Sequence, residues 1–131
     1  GQKGLYLGAG PGTVTALVPA SNGHVLAFRA TGLAAAVTDL TSGTTRNLRG
    51  YTALGAAARG ANGELTVLAW NSTDDTATIK VLILDGSTFE TRAALDTGIG
   101  PDRVLDARVL PGLGHDLVVG ISIVDTPNIT L

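Results

Sequence analysis

The residues of this chain best suited to chemistry lie in one polar stretch that follows its single tryptophan. Trp70 ends an apolar run, and Asn71, Asp74 and Asp75 follow it within five positions. An aromatic ring can stack on a sugar while neighbouring amide and carboxylate groups bond its hydroxyls. These four residues are therefore the candidate ligand-binding site, although core packing of the tryptophan and a solvated hairpin tip at the aspartates are commoner arrangements.

A glycine-rich loop near the start of the chain is a second candidate. Gly8 to Gly12 follows the apolar run Leu5–Leu7, as in the strand, loop and helix motif that binds dinucleotides. That motif needs a helix directly after the loop to hold the pyrophosphate, whereas the β-branched Thr13, Val14 and Thr15 follow here. We predict a plain turn, and a nucleotide-binding α/β enzyme domain that uses Gly8 to Gly12 is the alternative function.

No other group of side chains predicts a catalytic or metal site. His24 and His115 both follow a glycine in equivalent turns, which places them on one rim and too far apart to share an ion. We expect both to be solvated turn histidines. The aspartates after Trp70 lack the spacing of a calcium loop, and nothing converges on Asp102 and Asp106 to make them an acid–base pair. We therefore expect no enzyme activity, no metal and no cofactor.

Composition bounds the size of the protein and its partners. A chain of 131 residues predicts one domain, over residues 1–131. The net charge is −2 and the nine Lys and Arg residues are scattered, which argues against nucleic acid or an anionic membrane as a partner. No apolar run approaches the length of a spanning helix, so no membrane insertion is expected. The absence of cysteine leaves the compartment undetermined, with an extracellular, cell-surface or virion location favoured.

Glycine-containing turns at short intervals predict many short strands and a repeat. A hairpin recurs around Asn22-Gly23, Asn62-Gly63 and, more loosely, Gly114. An aspartate turn follows at Asp39 and again at Asp85-Gly86, where Asp can bond its own backbone and Gly can supply a positive φ. The predicted strands are Leu5–Leu7, Thr13–Val18, Val25–Arg29, Ala35–Leu40, Arg46–Leu48, Thr52–Ala58, Glu64–Trp70, Thr78–Leu84, Glu90–Leu95, Arg103–Leu110, Leu117–Val124 and Asn128–Leu131.

Several of these strands are apolar without alternation. Leu65 to Trp70 is interrupted only by Thr66, and Val81 to Leu84 is continuous. Such runs are typical of strands covered on both faces, which stacked sheets provide without helices. A mixed α/β fold stays open, with a helix that begins near Gly100, a helical segment over Leu33 to Leu40, and parallel strands in the VLILD and LVVGISIVD segments.

The order of strands and turns resembles the blades of WD-repeat-like β-propellers. The segment VTDLTSGTTRNLRGYTALG, from Val37 to Gly55, has a strand, an aspartate turn, a strand and a glycine that leads into the next unit. The resemblance covers Val14 to Asp125 and implies repeated four-stranded antiparallel units, about three in this length. No Trp-Asp dipeptide is present, so a true WD repeat is excluded.

Three blades do not close a propeller ring, which needs about four to eight. We therefore expect an all-β, propeller-like domain that self-associates or contacts further blades, as a segment of a larger propeller or one protomer of an assembled one. A β-trefoil is the next alternative, ahead of the α/β fold. The predicted function is a non-enzymatic structural or interaction module, propeller-like or lectin-like, that presents rigid loops to protein or carbohydrate.

Overall fold

Short antiparallel strands make up almost all of the regular structure. The computed structural model describes residues 13–20, 22–60, 62–111 and 117–123, which hold ten strands and one turn of 3₁₀-helix at Pro101–Arg103. The predicted strands Leu5–Leu7 and Asn128–Leu131 lie outside these residues. The strands are β1 (Thr13–Pro19), β2 (Val25–Ala30), β3 (Ala35–Asp39), β4 (Thr45–Asn47), β5 (Ala53–Arg59), β6 (Leu65–Trp70), β7 (Lys80–Leu84), β8 (Thr91–Asp96), β9 (Val104–Pro111) and β10 (Leu117–Ile123).

The strands form two consecutive four-stranded antiparallel sheets and one further hairpin. Strands β1 to β4 pair in chain order and are called the first unit; β5 to β8 pair in the same order and are called the second unit. Strands β9 and β10 form the terminal hairpin. The all-β prediction is therefore confirmed. The α/β alternative is wrong for the described residues, because Leu33 to Leu40 contains strand β3 and the VLILD segment contains the antiparallel strand β7.

An asparagine forms the turn between the first two strands of each unit. Asn22 Oδ1 accepts a hydrogen bond from the N–H of His24 at 2.9 Å, and Asn62 Oδ1 accepts one from the N–H of Glu64 at 3.1 Å. Such bonds imitate a backbone turn, so the same dipeptide reverses the chain before β2 and before β6. In the terminal hairpin the flanking strands pair as expected, and the turn that contains Gly114 lies outside the described residues.

A shared apolar core joins the two units face to face. Leu26, Phe28 and Val37 of the first unit and Val67 and Leu82 of the second are buried in one cluster. Neighbouring residues of a strand point to opposite faces, so these residues define the facing surface of each sheet. Burying such side chains is the main favourable term in folding, at about 1.5–3 kcal/mol each.

The opposite face of the second unit is covered as well. Leu68 and Ile79 pack there against Val109 of β9, in a second cluster. Both faces of the second unit are therefore buried, which confirms the expectation from the unbroken Leu65 to Trp70 run. Strands β2 and β6 have the same length and begin 40 positions apart, so Phe28 corresponds to Leu68. Both face the next sheet in the chain, and the sheets are stacked head to tail.

The sheets approach one another along their first strands. Strand β1 contacts β5, and β5 contacts both β2 and β9. At the other side of each sheet, β4 and β8 are exposed along their whole length. The described residues close neither a ring nor a barrel, so they do not form the closed barrel that the β-trefoil alternative requires.

Aspartates shape the turn between the last two strands of each unit, as predicted. Asp39 Oδ1 accepts the N–H groups of the second and third residues after it at 2.9 and 3.1 Å, and Asp85 Oδ1 does the same at 2.8 and 2.9 Å. Four positions after each aspartate the backbone adopts a positive φ, 83° at Gly43 and 63° at Phe89. The two turns therefore match position by position, with a phenylalanine in the second where the first has glycine.

Gly86 has a different role from the one predicted. Its φ is not positive, so the prediction that it supplies the left-handed residue of the turn is wrong, and Phe89 takes that conformation. A Cβ at Gly86 would instead overlap the carbonyl oxygen of Gly63. Only a residue without a side chain lets the β7–β8 turn lie this close to the β5–β6 turn.

Side-chain contacts join the two turns at this end of each unit. In the first unit His24 Nδ1 lies 2.7 Å from Asp39 Oδ2. In the second, Arg92 bonds Asp85 Oδ2 at 2.7 Å and Glu64 Oε2 at 3.0 Å. The expectation that His24 is merely solvated is corrected, because its ring is held by a carboxylate. We call these contacts the turn clasps.

Hydrogen bonds at this end of the sheets lower the pKa of both aspartates. Burial by itself raises the pKa of Asp39, but the hydrogen bonds from His24 and from the N–H groups of Ser42 and Thr41 outweigh it and lower that pKa. The pKa of Asp85 falls to about 2, chiefly through the N–H groups of the residues two and three positions on, with a smaller contribution from its arginine partner.

Candidate functional site

A cleft of about 410 Å³ lies at the end of the sheets opposite the turn clasps. One wall is the connection from β4 to β5, and the other is the loop from β6 to β7, which we call the 71–79 loop. The volume of the cleft is at the lower end of the range for small-molecule sites. The cleft is lined by Arg49, Gly50, Tyr51, Trp70, Asn71, Asp74, Thr76, Ala77, Thr78 and Lys80.

Trp70 links this cleft to the core. It is the last residue of β6 and is half-buried against the cluster that contains Leu68 and Ile79. Its carbonyl accepts the N–H of Thr52 at 3.0 Å, so the backbone on both sides of the cleft is paired. The indole therefore packs on the core and also lines the cleft, and the contacts with the core help to fix its orientation.

The 71–79 loop is built from two successive side-chain turns. Asn71 Oδ1 accepts the N–H and the hydroxyl of Thr73 at 3.0 and 2.7 Å, and Asp74 Oδ1 accepts the N–H and the hydroxyl of Thr76 at 2.9 and 2.7 Å. The hydroxyl bond and then the amide bond of Thr76 lower the pKa of Asp74, so this carboxylate is ionised. These internal bonds give residues 71–76 of the loop a defined shape.

Ser72 ties the 71–79 loop to the rest of the molecule. Its N–H donates to Thr52 Oγ1 at 2.7 Å, its hydroxyl lies 2.8 Å from the same atom, and that hydroxyl donates to the carbonyl of Gly32 at 3.2 Å. The N–H of Gly32 in turn donates to the carbonyl of Thr52 at 3.0 Å. The loop is thus fixed to both units, which keeps the wall of the cleft in place.

The 71–79 loop is an insertion relative to the first unit. Gly23 and Gly63 are 40 positions apart, whereas Asp39 and Asp85 are 46 positions apart. Since β2 and β6 are equally long, the six extra residues fall between Trp70 and Asp85, and five of them lie in the 71–79 loop. The first unit has only the short turn between Ala30 and Ala35 at this place.

Two cations face the cleft, and they differ in their partners. Lys80 Nζ donates to Thr78 Oγ1 at 3.2 Å and lies 3.6 Å from Asp96 Oδ1, so a neighbouring carboxylate balances its charge. Arg49 is exposed, and its guanidinium has no hydrogen bond or ion pair with the residues that the structure describes. Asp74 is the only carboxylate among the residues that line the cleft, and it does not lie within ion-pair distance of Arg49.

The structure brings three of the four predicted site residues to the cleft. Trp70, Asn71 and Asp74 line it, whereas Asp75 is exposed at the loop tip and does not. Sequence reasoning missed Arg49 and Tyr51, along with Lys80. The difference between the two spacings, 40 and 46, is the signal that points to an insertion after the tryptophan.

The remaining sequence candidates do not add to this site. The Gly8 to Gly12 loop, His115 and the side chain of Asp106 lie outside the described residues, and Asp102 is exposed. Across the described part of the chain, no three His, Asp or Glu residues lie close enough to hold a metal ion together. None of its helical structure has the length and apolar content of a membrane span.

No family model matches the chain, and neither does any curated protein or solved structure. Its function therefore has to be inferred from the site itself.

Proposed function

We propose that this protein is a non-enzymatic interaction module, built on propeller-like blades, whose Trp70 cleft binds a protein or carbohydrate ligand. The observation that carries the proposal is the six-residue insertion in the second unit. Insertions within one copy of a repeat map to loops on one face, which is often the binding face. Here the insertion builds one wall of the cleft, and the sheet beneath it keeps the strand order of the first unit.

The stacking of the sheets supports the propeller-like part of the proposal. The units are stacked head to tail, lie closest along β1, β5 and β9, and expose β4 and β8. A head-to-tail contact of this kind leaves complementary surfaces at the two ends of the stack, and it generates a ring when the rotation closes. We propose that further sheets of the same kind, from other copies or from more polypeptide, cover those end surfaces.

The lining of the cleft supports a ligand role over a purely structural one. It combines the partly exposed Trp70 and Tyr51 with hydrogen-bonding groups on both walls. Asp74 keeps one carboxylate oxygen without a partner among the described residues, and that oxygen can accept a ligand hydroxyl. Aromatic faces together with fixed polar groups are the usual composition of small-ligand sites.

Chemical-shift mapping on the ¹⁵N-labelled protein tests the ligand role, since a chain of 13.2 kDa gives resolved spectra. A panel of neutral and acidic glycans, short peptides, ATP and NAD would be titrated in turn. We expect shifts for at least one glycan or peptide at Tyr51, the Trp70 indole and the 71–79 loop. Trp70→Leu should abolish them, and Leu33→Ala, an exposed apolar change at the same end of the sheets, should not.

Two outcomes would contradict the ligand role. Nucleotide-induced shifts at Gly8 to Gly12 would favour the enzyme alternative, and a panel without any shift at the cleft would remove the binding proposal. Native mass spectrometry over a range of concentrations tests assembly separately: a stable monomer at every concentration would exclude ring closure by several copies of this chain.

A further inference from the structure

We propose that the ligand of the Trp70 cleft is an acidic carbohydrate, a sugar that carries a carboxylate, with Arg49 as the residue that binds the acid group. This inference rests on the proposed function and names its ligand class. It starts from a difference between the two cations of the cleft: Lys80 has a carboxylate partner, and Arg49 has none among the described residues.

Arg49 is the cation of the cleft that lacks a counter-ion among the described residues. Its guanidinium has no hydrogen bond or ion pair with the described residues, while Lys80 is held by Thr78 and Asp96. A guanidinium presents two parallel N–H donors that match a carboxylate, which a lysine cannot do. The anionic group of a ligand is therefore expected at Arg49.

The rest of the cleft fits a sugar ring better than a simple anion. Trp70 and Tyr51 offer aromatic surface. The ionised Asp74 lies on the 71–79 loop, the wall opposite Arg49, and one of its carboxylate oxygens has no partner among the described residues. Asp74 would repel a bare anion, but it can accept hydroxyl protons from a ring whose acid group points at Arg49. A ligand with a carboxylate at one end and hydroxyls at the other satisfies both charged side chains.

A second arginine provides a matched control. Arg46 of β4 is exposed, and its guanidinium has no hydrogen bond or ion pair with the described residues. It lines a neighbouring groove together with Arg49 but does not line the cleft. Arg46→Gln and Arg49→Gln therefore remove the same charge from almost the same place, and only one of them changes the cleft. Neither residue is part of the buried core.

The test compares methyl β-glucuronide with methyl β-glucoside. The two differ only at C6, where the first has a carboxylate and the second a hydroxymethyl group, and Trp70 fluorescence and amide shifts are the readouts. Because Trp70 is the only tryptophan, the emission reports on the cleft directly. We expect the glucuronide to bind about tenfold more tightly, the value of one charge-assisted bond at an exposed site. Arg49→Gln should remove that preference, Arg49→Lys should keep part of it, and Arg46→Gln should leave it unchanged.

Each other outcome overturns the inference in a distinct way. Equal binding of the two sugars, unaffected by Arg49→Gln, would exclude the acidic class but leave a ligand cleft. Competition by sodium acetate at the same concentration as the glucuronide would indicate a simple anion site. If neither sugar perturbs Trp70 in the folded protein, the carbohydrate class is wrong, and the peptide arm of the shift mapping then decides whether the proposed function fails with it.

Discussion

Phe89 is a buried phenylalanine in a backbone conformation that favours glycine. At this position we therefore expect the glycine variant to be more stable than the alanine variant, the reverse of the usual order in a strand. Its side chain is 5% exposed and belongs to the core between the two units, yet its φ is 63°. The equivalent position in the first unit is Gly43, with φ 83°. Burial of the ring therefore stabilises the fold at a position where the backbone is strained.

The structure allows the two effects to be separated by comparing alanine with glycine. Removing a buried phenylalanine ring costs about 3–5 kcal/mol in either variant. An L-residue in the left-handed region costs about 1–2 kcal/mol, which Phe89→Gly relieves and Phe89→Ala does not. Glycine loses about 0.5–1 kcal/mol through its freedom in the unfolded chain. The net result is that the glycine variant should be the more stable one by about 0.5–1 kcal/mol.

Phe28 is the control, because it is the same residue type in the same core but lies in the extended strand β2. There Phe28→Ala should be more stable than Phe28→Gly by about 0.5–1 kcal/mol. Urea unfolding followed by far-UV circular dichroism measures all four variants. If Phe89→Ala proves as stable as Phe89→Gly, the backbone at residue 89 is not strained and the reasoning fails. Gly43→Ala, which leaves the core intact, should cost about 0.5–1 kcal/mol through the same two effects.

Three further predictions concern the turn end of the sheets. Gly86→Ala should destabilise the protein more than Gly43→Ala in urea unfolding, because its Cβ would meet the Gly63 carbonyl. Since the folded state lowers the pKa of Asp39, the stability that this carboxylate adds is complete above its unfolded pKa and is lost as the pH falls through the folded value. Asp39→Asn should therefore flatten the acid limb of a stability–pH curve; an unchanged limb would contradict this. Arg92→Gln should raise the pKa of Asp85 only part of the way from about 2 towards 3.8, as measured by carboxyl NMR, because the two backbone donors remain.

Most of the strands could be predicted because their ends carry local signals. The predicted strand Val25–Arg29 differs from the observed β2 by one residue, and Asn22-Gly23 marks its start with a side-chain bond that involves only neighbouring residues. The burial of both faces of β6 also follows from its own composition. The left-handed residue of the turn between β7 and β8 could not be predicted. A phenylalanine is disfavoured in the left-handed conformation, and only the contact of Phe89 with the core explains why it adopts that conformation.

The site was harder to predict, since its residues come from distant parts of the chain. Trp70 and Asn71 could be identified because the aromatic ring and the polar loop are adjacent in sequence. Arg49 and Tyr51 lie about twenty residues earlier, and the pairing of Ala53 with Trp70 in the β5–β6 ladder brings them near. Pairing of this kind depends on register, which no local signal near Arg49 reports.

The two ends of the sheets are constrained differently, and this explains why the insertion lies where it does. At the turn end, the hydrogen-bond contact of His24 with Asp39 is replaced in the second unit by Arg92 and its two carboxylates, so the two turns are joined in both units while the residues differ. Extra residues there would break the turn clasps and expose Phe89. The 71–79 loop instead satisfies most of its polar groups within itself and is tied down by Ser72. Residues at the tip of this loop can therefore be added or removed while β6 and β7 stay paired, and under the proposed function this is where ligand specificity would vary.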